Sequence, residues 1–203
     1  MPSVLRNIAG IDPGLGTGAI VILDRARGGR IAAAVSLIEA KGAIKEAREE
    51  ARRLAATFGG WSDKQFLAAD LRARIWVKRA CKFLETFKAE NGSIDIIAIE
   101  SFVDQAQHAR SMRRSRWMVP FLTGLLILEL DRRGFSPERE NLIYQDAGLV
   151  FKKLDRELAA LAHPRAKPLL VEGDEQLTNE HQRSAFAHAW ALSLRLEPYR
   201  EKK

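Results

Sequence analysis

Three places in this 203-residue sequence bring together residue types that could do chemistry. The first is Gly10-Ile11-Asp12-Pro13-Gly14-Leu15-Gly16-Thr17-Gly18, where an apolar run ends on a carboxylate and a glycine-rich turn. A turn with so few side chains lets a phosphate or a metal approach the backbone closely. The same pattern also serves as a plain hairpin whose Asp12 caps the turn. The second is Glu100, which closes the apolar run Ile94–Ile99. A carboxylate ending a buried strand has to be paired, solvated or holding a cation, and an exposed strand-end glutamate satisfies the pattern equally. Because adjacent strands lie about 4.8 Å apart, Asp12 and Glu100 at the ends of two central strands could present both oxygens to one Mg2+. The third is the segment Asn179 to His188. There Glu180, Ser184 and His188 follow one another at i+4, and His181 and Ser184 are i, i+3, so these polar groups can share one helix face. Ala185, Ala187 and Ala189 let that helix come close to another element. On this reading His188 faces water, and His181 divides evenly between solvent and site.

The elements that must position these residues follow from punctuation and period. Asn7–Asp12, Gly18–Asp24 and Arg30–Ile38 read as strands of an antiparallel meander, separated by Pro13, Gly14 and Gly16 and then by Arg27-Gly28-Gly29. The pattern turns helical over Ala43–Phe58 and Asp63–Glu90, with Gly59, Gly60 and Ser62 between. Ile94–Glu100 is a continuous apolar run of strand length, as expected of a central strand covered on both faces. A helix is expected over His108–Arg133 before Gly134, a short strand over Asn141–Tyr144, and a last helix from Asn179 to about Glu197, with Asn179 and Gln182 at capping-box spacing. Residues 163–178 read as a surface excursion. The order β-β-β-α-α-β-α-β-α implies an α/β fold: a mixed sheet of five strands, three antiparallel and two parallel, flanked by helices.

Composition sets the outer bounds. Hydrophobic residues make up 46% and charged residues 29% of the chain, which suits one packed domain over residues 1–203. The longest greasy stretch, Met118–Leu128, is broken by Pro120, Thr123 and Gly124 and is too short to span a bilayer, so no membrane association is expected. A strand-like N-terminus without a signal-peptide pattern and a single cysteine, Cys81, point to the cytoplasm. Thirty-three Lys and Arg against 26 Asp and Glu leave a net charge of +7, which suits a polyanionic partner. Two basic patches carry that charge. In RARIWVKRACKF, residues Trp76, Val77, Ala80, Phe83, Leu84 and Phe87 fall on one half of the helical wheel, and Arg74, Lys78, Arg79 and Lys82 on the other. A solvated cationic face accounts for that pattern as well as a nucleic-acid surface does. His108–Trp117 holds Arg110, Arg113, Arg114 and Arg116 with no acid, a few residues after Glu100, where phosphate contact is expected. The helix with Trp117, Met118, Phe121, Leu122, Leu125, Leu126 and Leu128 is apolar enough to bury against the sheet or another subunit.

GIDPGLGTGAIV, IDIIAIESFV and the terminal H-x-x-S-A-x-A-x-A together resemble, in order and from Ile8 to Leu194, the three motifs of RuvC-type Holliday-junction resolvases of the RNase H-like superfamily. The resemblance implies a Mg2+- or Mn2+-dependent endonuclease that cuts phosphodiester bonds in branched DNA and works as a homodimer. It carries the metal ligands and catalytic groups onto Asp12, Glu100 and His181, with Ser184 at a position where the family usually has Asp. Glu180 is a secondary candidate for the missing anionic ligand. Residues 41–90 exceed the compact family core and read as a helical elaboration. The alternative is a non-catalytic protein that binds branched nucleic acid through an RNase H-like fold with a degenerate metal site. A two-domain ATPase of the actin and sugar-kinase type fits poorly, because only one glycine-rich hairpin is present.

Overall fold

In a computed structural model of the chain, residues 5–14, 16–37, 41–57, 64–101, 118–135, 142–146, 177 and 179–196 are described. Strands β1 (Asn7–Asp12), β2 (Ala19–Asp24) and β3 (Arg30–Ser36) form the meander, with a single 3-10 turn at Arg25–Arg27. Helices α1 (Lys41–Thr57) and α2 (Lys64–Asn91) precede β4 (Ile96–Ser101), and α3 (Met118–Arg132), β5 (Leu142–Asp146) and α4 (Glu180–Ser193) complete the described elements. The sheet order is β3-β2-β1-β4-β5. β1 pairs antiparallel with β2 and parallel with β4, and β4 pairs parallel with β5. The architecture is the expected mixed α/β sheet flanked by helices.

Strand alternation divides the core in two. Ala9, Ile11, Ile20, Ile22, Ile97 and Ile99 point to the face covered by α2 and α3, where they meet Trp76, Val77, Leu84, Leu122, Leu126 and Leu130. Ile8, Val21, Leu23, Ile96 and Ala98 point to the other face, against Ala185, Phe186, Ala189 and Leu192 of α4. Asp12 and Glu100 share parity with Ile8 and Ala98, so both belong to the α4 face.

Several boundaries differ from the sequence reading, each for a local reason. β4 begins at Ile96 rather than Ile94 because Asp95 intervenes: its carboxylate accepts the Arg6 and Asn7 N–H groups at 2.6 and 2.9 Å. α4 stops at Ser193, short of Glu197, as the Leu194 N–H closes on Trp190 O and the chain turns. In α3, Leu122, Leu126 and Leu130 face inward at i+4 spacing, which turns Leu128 away from the sheet at 55% exposure. Residues 102–117, with the expected start of that helix and Arg110, Arg113, Arg114 and Arg116, lie outside the described residues, as does nearly all of the expected excursion at 163–178.

Candidate functional site

The site forms where β1 and β4 end beneath the first two turns of α4. Parallel pairing matches Ile8 with Ile96, Gly10 with Ala98 and Ile11 with Ile99, so one further step sets Asp12 beside Glu100. What brings α4 down to them is the absence of side chains. A Cβ at Gly10 would collide with the Ala185 carbonyl, and Ala185 and Ala189 are the helix residues resting on that strand. The turn after Asp12 is equally tight, since a Cβ at Gly14 would run into the Thr17 carbonyl. At the start of α4 the capping expectation holds in part: Asn179 Oδ1 accepts the Gln182 N–H at 2.9 Å. Asn179 Nδ2 also donates to Ser36 Oγ at 2.6 Å, which ties the helix start to the end of β3.

Each sequence-nominated residue has a definite place. His181 Nδ1 lies 2.9 Å from Asp12 Oδ2, and its Nε2 lies 2.6 Å from Thr17 Oγ1, so both ring nitrogens are engaged. Ser184 Oγ donates to Glu100 Oε2 at 2.9 Å. Glu180, with 84% of its side chain exposed, reaches only toward His181 Nε2 at 3.8 Å among its described contacts and does not join the two strand carboxylates. Arg74, Lys78 and Lys82 line the exposed side of α2, and Arg74 pairs with Asp70 at 2.9 Å.

Three residues join the site that the sequence did not nominate. Thr17 is the partner of His181 already described. Gln145 sits opposite Glu100 in the β4–β5 register. His188, expected to face water, is fully buried: Nδ1 lies 3.0 Å from Gln145 Oε1 and Nε2 lies 3.6 Å from Glu100 Oε2. The reason is that α4 is buried around much of its circumference, with Ala187 and Ala191 covered as well as Ala185 and Ala189. The i+4 spacing from Ser184 was the available signal, because it puts His188 one turn further along the face that already meets Glu100.

The electrostatics are unbalanced. Burial first, and then the negative charge of Glu100, push the Asp12 carboxyl up to about 6, against the lowering effect of His181. For Glu100 burial acts upward too, but the His188 ring, 3.6 Å away, and the hydrogen bond from Ser184 hold it below the usual glutamate value. No Lys or Arg is paired with either carboxylate among the described residues. Two partly buried carboxylates facing each other without a cationic side chain form a donor set that suits one divalent cation. Among the described residues no three Asp, Glu, His or Cys side chains cluster in a metal-holding group, and Ser184 adds no charge. The chemistry available is therefore a pair of hard oxygen donors, one of them held for proton uptake near neutrality, with imidazoles on either side.

No helix among the described residues is long and apolar enough to cross a membrane. No known family model matches the chain, and no curated protein matches it either. Among solved structures it is similar to T. thermophilus RuvC in complex with Holliday junction substrate, at 14% identity over 93% of this chain and 92% of that one, with a TM-score of 0.58. It is also similar to Thermus thermophilus RuvC, at 14% identity over 92% of this chain and 93% of that one, with a TM-score of 0.51. At this identity the likeness speaks for the fold: the chain has a RuvC-like architecture.

Proposed function

We propose that the protein is a Mg2+- or Mn2+-dependent endonuclease selective for branched DNA, of the Holliday-junction-resolvase type. The observation that carries the reading is the pair Asp12 and Glu100, which lies on one face of the sheet at the ends of two parallel strands, with no lysine or arginine paired to it among the described residues. A neighbour of the same fold that is described in complex with a Holliday junction substrate supports the choice of substrate. Asp12 and Glu100 would hold the cation, and His181 completes the constellation by meeting Asp12 from α4. When bound, the cation supplies an activated water and neutralises charge on the phosphate and leaving oxygen. His181 and Thr17 fix the orientation of Asp12, and Ser184 fixes that of Glu100, so the donors are set before substrate arrives. Arg74, Lys78 and Lys82 on α2 and Arg110, Arg113, Arg114 and Arg116 are the proposed phosphate contacts, and the working unit is a homodimer.

One observation favours a second reading, a non-catalytic protein that binds branched nucleic acid. Ser184 spends its hydroxyl on Glu100 and brings no anionic ligand, so a second cation lacks an evident holder among the described residues. Labelled four-way junction, flap and linear duplex, each incubated with and without Mn2+, separate the two. Metal-dependent cutting of a branched substrate is the expected result. Binding without cutting at any Mn2+ concentration would establish the second reading instead.

A further inference from the structure

His188 is the one fully buried imidazole described, and its neighbours along α4 are apolar, with Ala185, Phe186, Ala187, Ala189 and Ala191 buried as well. An apolar residue there would avoid burying two ring nitrogens, one of which, Nε2, has no partner within hydrogen-bond distance. The ring is not placed at random. Its Nδ1 is braced by Gln145 Oε1 at 3.0 Å from β5, and Gln145 is the register partner of Glu100 on β4. Its Nε2 faces the same Oε2 of Glu100 that receives the Ser184 hydroxyl, at 3.6 and 2.9 Å respectively. Two α4 side chains one turn apart thus converge on one carboxylate oxygen. In a planar carboxylate, an anchored oxygen also fixes where the other oxygen points.

We propose that His188, braced on Gln145, is the positioning residue of Glu100, sharing with Ser184 the task of holding its Oε2 so that the rest of the carboxylate faces Asp12. The proposal rests on the metal-site reading above and extends it by two residues, one from β5 and one from the interior of α4. It accounts for the placement of a half-buried glutamate at a strand end, where no lysine or arginine is paired with it among the described residues.

The test is Mn2+ affinity, read from the free-ion paramagnetic signal in the absence of DNA, alongside thermal stability. His188→Leu is expected to weaken Mn2+ binding by about 10- to 100-fold, the range for removing a group that orients a metal ligand. His188→Gln, whose amide can reach Glu100 from a similar position, should recover most of that loss. Leu126→Ala on the opposite face of the sheet should lower stability and leave Mn2+ affinity unmoved, which separates positioning from general loosening. If His188→Leu does not fold, Gln145→Met removes the brace from the other end and should weaken Mn2+ in the same way. Affinity within twofold of wild type in His188→Leu or Gln145→Met, or an equal loss in the Leu and Gln variants, overturns the positioning role alone. Wild-type protein that takes up no Mn2+ overturns the metal reading and this proposal with it.

Discussion

Asp12 and Asp24 close two neighbouring antiparallel strands at opposite ends of one ladder, Asp12 paired with Ala19 and Asp24 with Asn7. Their side chains are similarly buried, 13% and 7% exposed, yet their surroundings differ completely. Asp24 receives two hydrogen bonds from the Arg6 guanidinium, at 3.1 and 3.0 Å, and one from the Ala26 N–H at 2.9 Å. Burial acts to raise its carboxyl, but the Arg6 and Ala26 hydrogen bonds and the nearby cationic charge hold it below the ordinary 3.8. Asp12 meets a second carboxylate and an imidazole, and its carboxyl is pushed up to about 6. A carboxylate that serves the fold is neutralised where it stands. One kept beside a like-charged neighbour, with no lysine or arginine paired to it among the described residues, leaves negative charge that a bound cation can balance.

The largest expected effect breaks the comparison at Asp12. Asp12→Asn and Glu100→Gln should each abolish Mn2+-dependent cutting while leaving binding of a four-way junction nearly intact, measured by cleavage of labelled junction and by gel shift. Asp24→Asn should leave cutting within a few-fold of wild type. Mn2+ at a hundred times its dissociation constant should stabilise the wild type by about 2.7 kcal/mol and leave Asp12→Asn unmoved. Equal metal stabilisation of both proteins would place the cation elsewhere.

Stability should rank the two aspartates the other way. Asp24→Asn takes an ionic acceptor from half-exposed Arg6 at a carboxylate that is itself only 7% exposed, and is expected to lose about 1–3 kcal/mol, read by denaturant unfolding at pH 7. Because the folded-state value of Asp24 is depressed, its contribution is present above 3.8 and is lost as pH falls through the lower folded value. The acid limb of the stability curve should therefore flatten in Asp24→Asn. Asp12 carries the opposite sign. With a folded value of about 6 against 3.8, its contribution is full below 3.8 and lost as pH rises through about 6. In a chelator, Asp12→Asn should then match or exceed wild-type stability above pH 6. A destabilised Asp12→Asn at pH 8 would show that this carboxylate serves the fold as Asp24 does.

How far the sequence could anticipate this contrast depended on whether the deciding contact was local. Strand β1, the hairpin turn and the half-apolar wheel of α2 were readable because alternation and i+4 spacing are written in consecutive residues. Asp12 and Glu100 stand out as strand-end carboxylates, whereas helix spacing only lets His181 and Ser184 share a face and the resemblance to RuvC-type resolvases is what assigns them to the site; all four converge in the structure. His188 was read as solvated because an alanine-rich helix hides which of its sides is covered, and here most of it is. Gln145 gave no local sign, since its link to Glu100 exists only through parallel pairing of segments far apart in the chain. α3 is apolar nearly all round, so its period could not single out Leu128 as the residue turned away from the sheet. The neutral setting of Asp24 depends on Arg6, 18 residues away across the hairpin, and spacing alone could not distinguish that partner.

The smallest expected effect on stability comes from pairs that resemble Arg6–Asp24 on paper only. Arg74–Asp70 is just as short, at 2.9 Å, but both partners are more exposed, 65% and 20% against 50% and 7% for Arg6 and Asp24, and Lys78 and Lys82 beside it face solvent. Water and salt screen such charges, and an exposed i, i+4 pair contributes only about 0.3–0.5 kcal/mol. Changing Arg74, Lys78 and Lys82 together to Gln should therefore shift unfolding by less than about 1 kcal/mol. On the proposed function these cations act on DNA instead. If all three reach phosphates, the slope of log K against log salt for duplex arms should become shallower by about 2.7, at roughly 0.9 for each phosphate no longer neutralised. Stability and salt slope then move independently, which is the same division seen between Asp24 and Asp12. A triple variant with unchanged slope would leave this face of α2 a solvated surface and assign DNA binding to other cations, with Arg110, Arg113, Arg114 and Arg116 the next set to substitute.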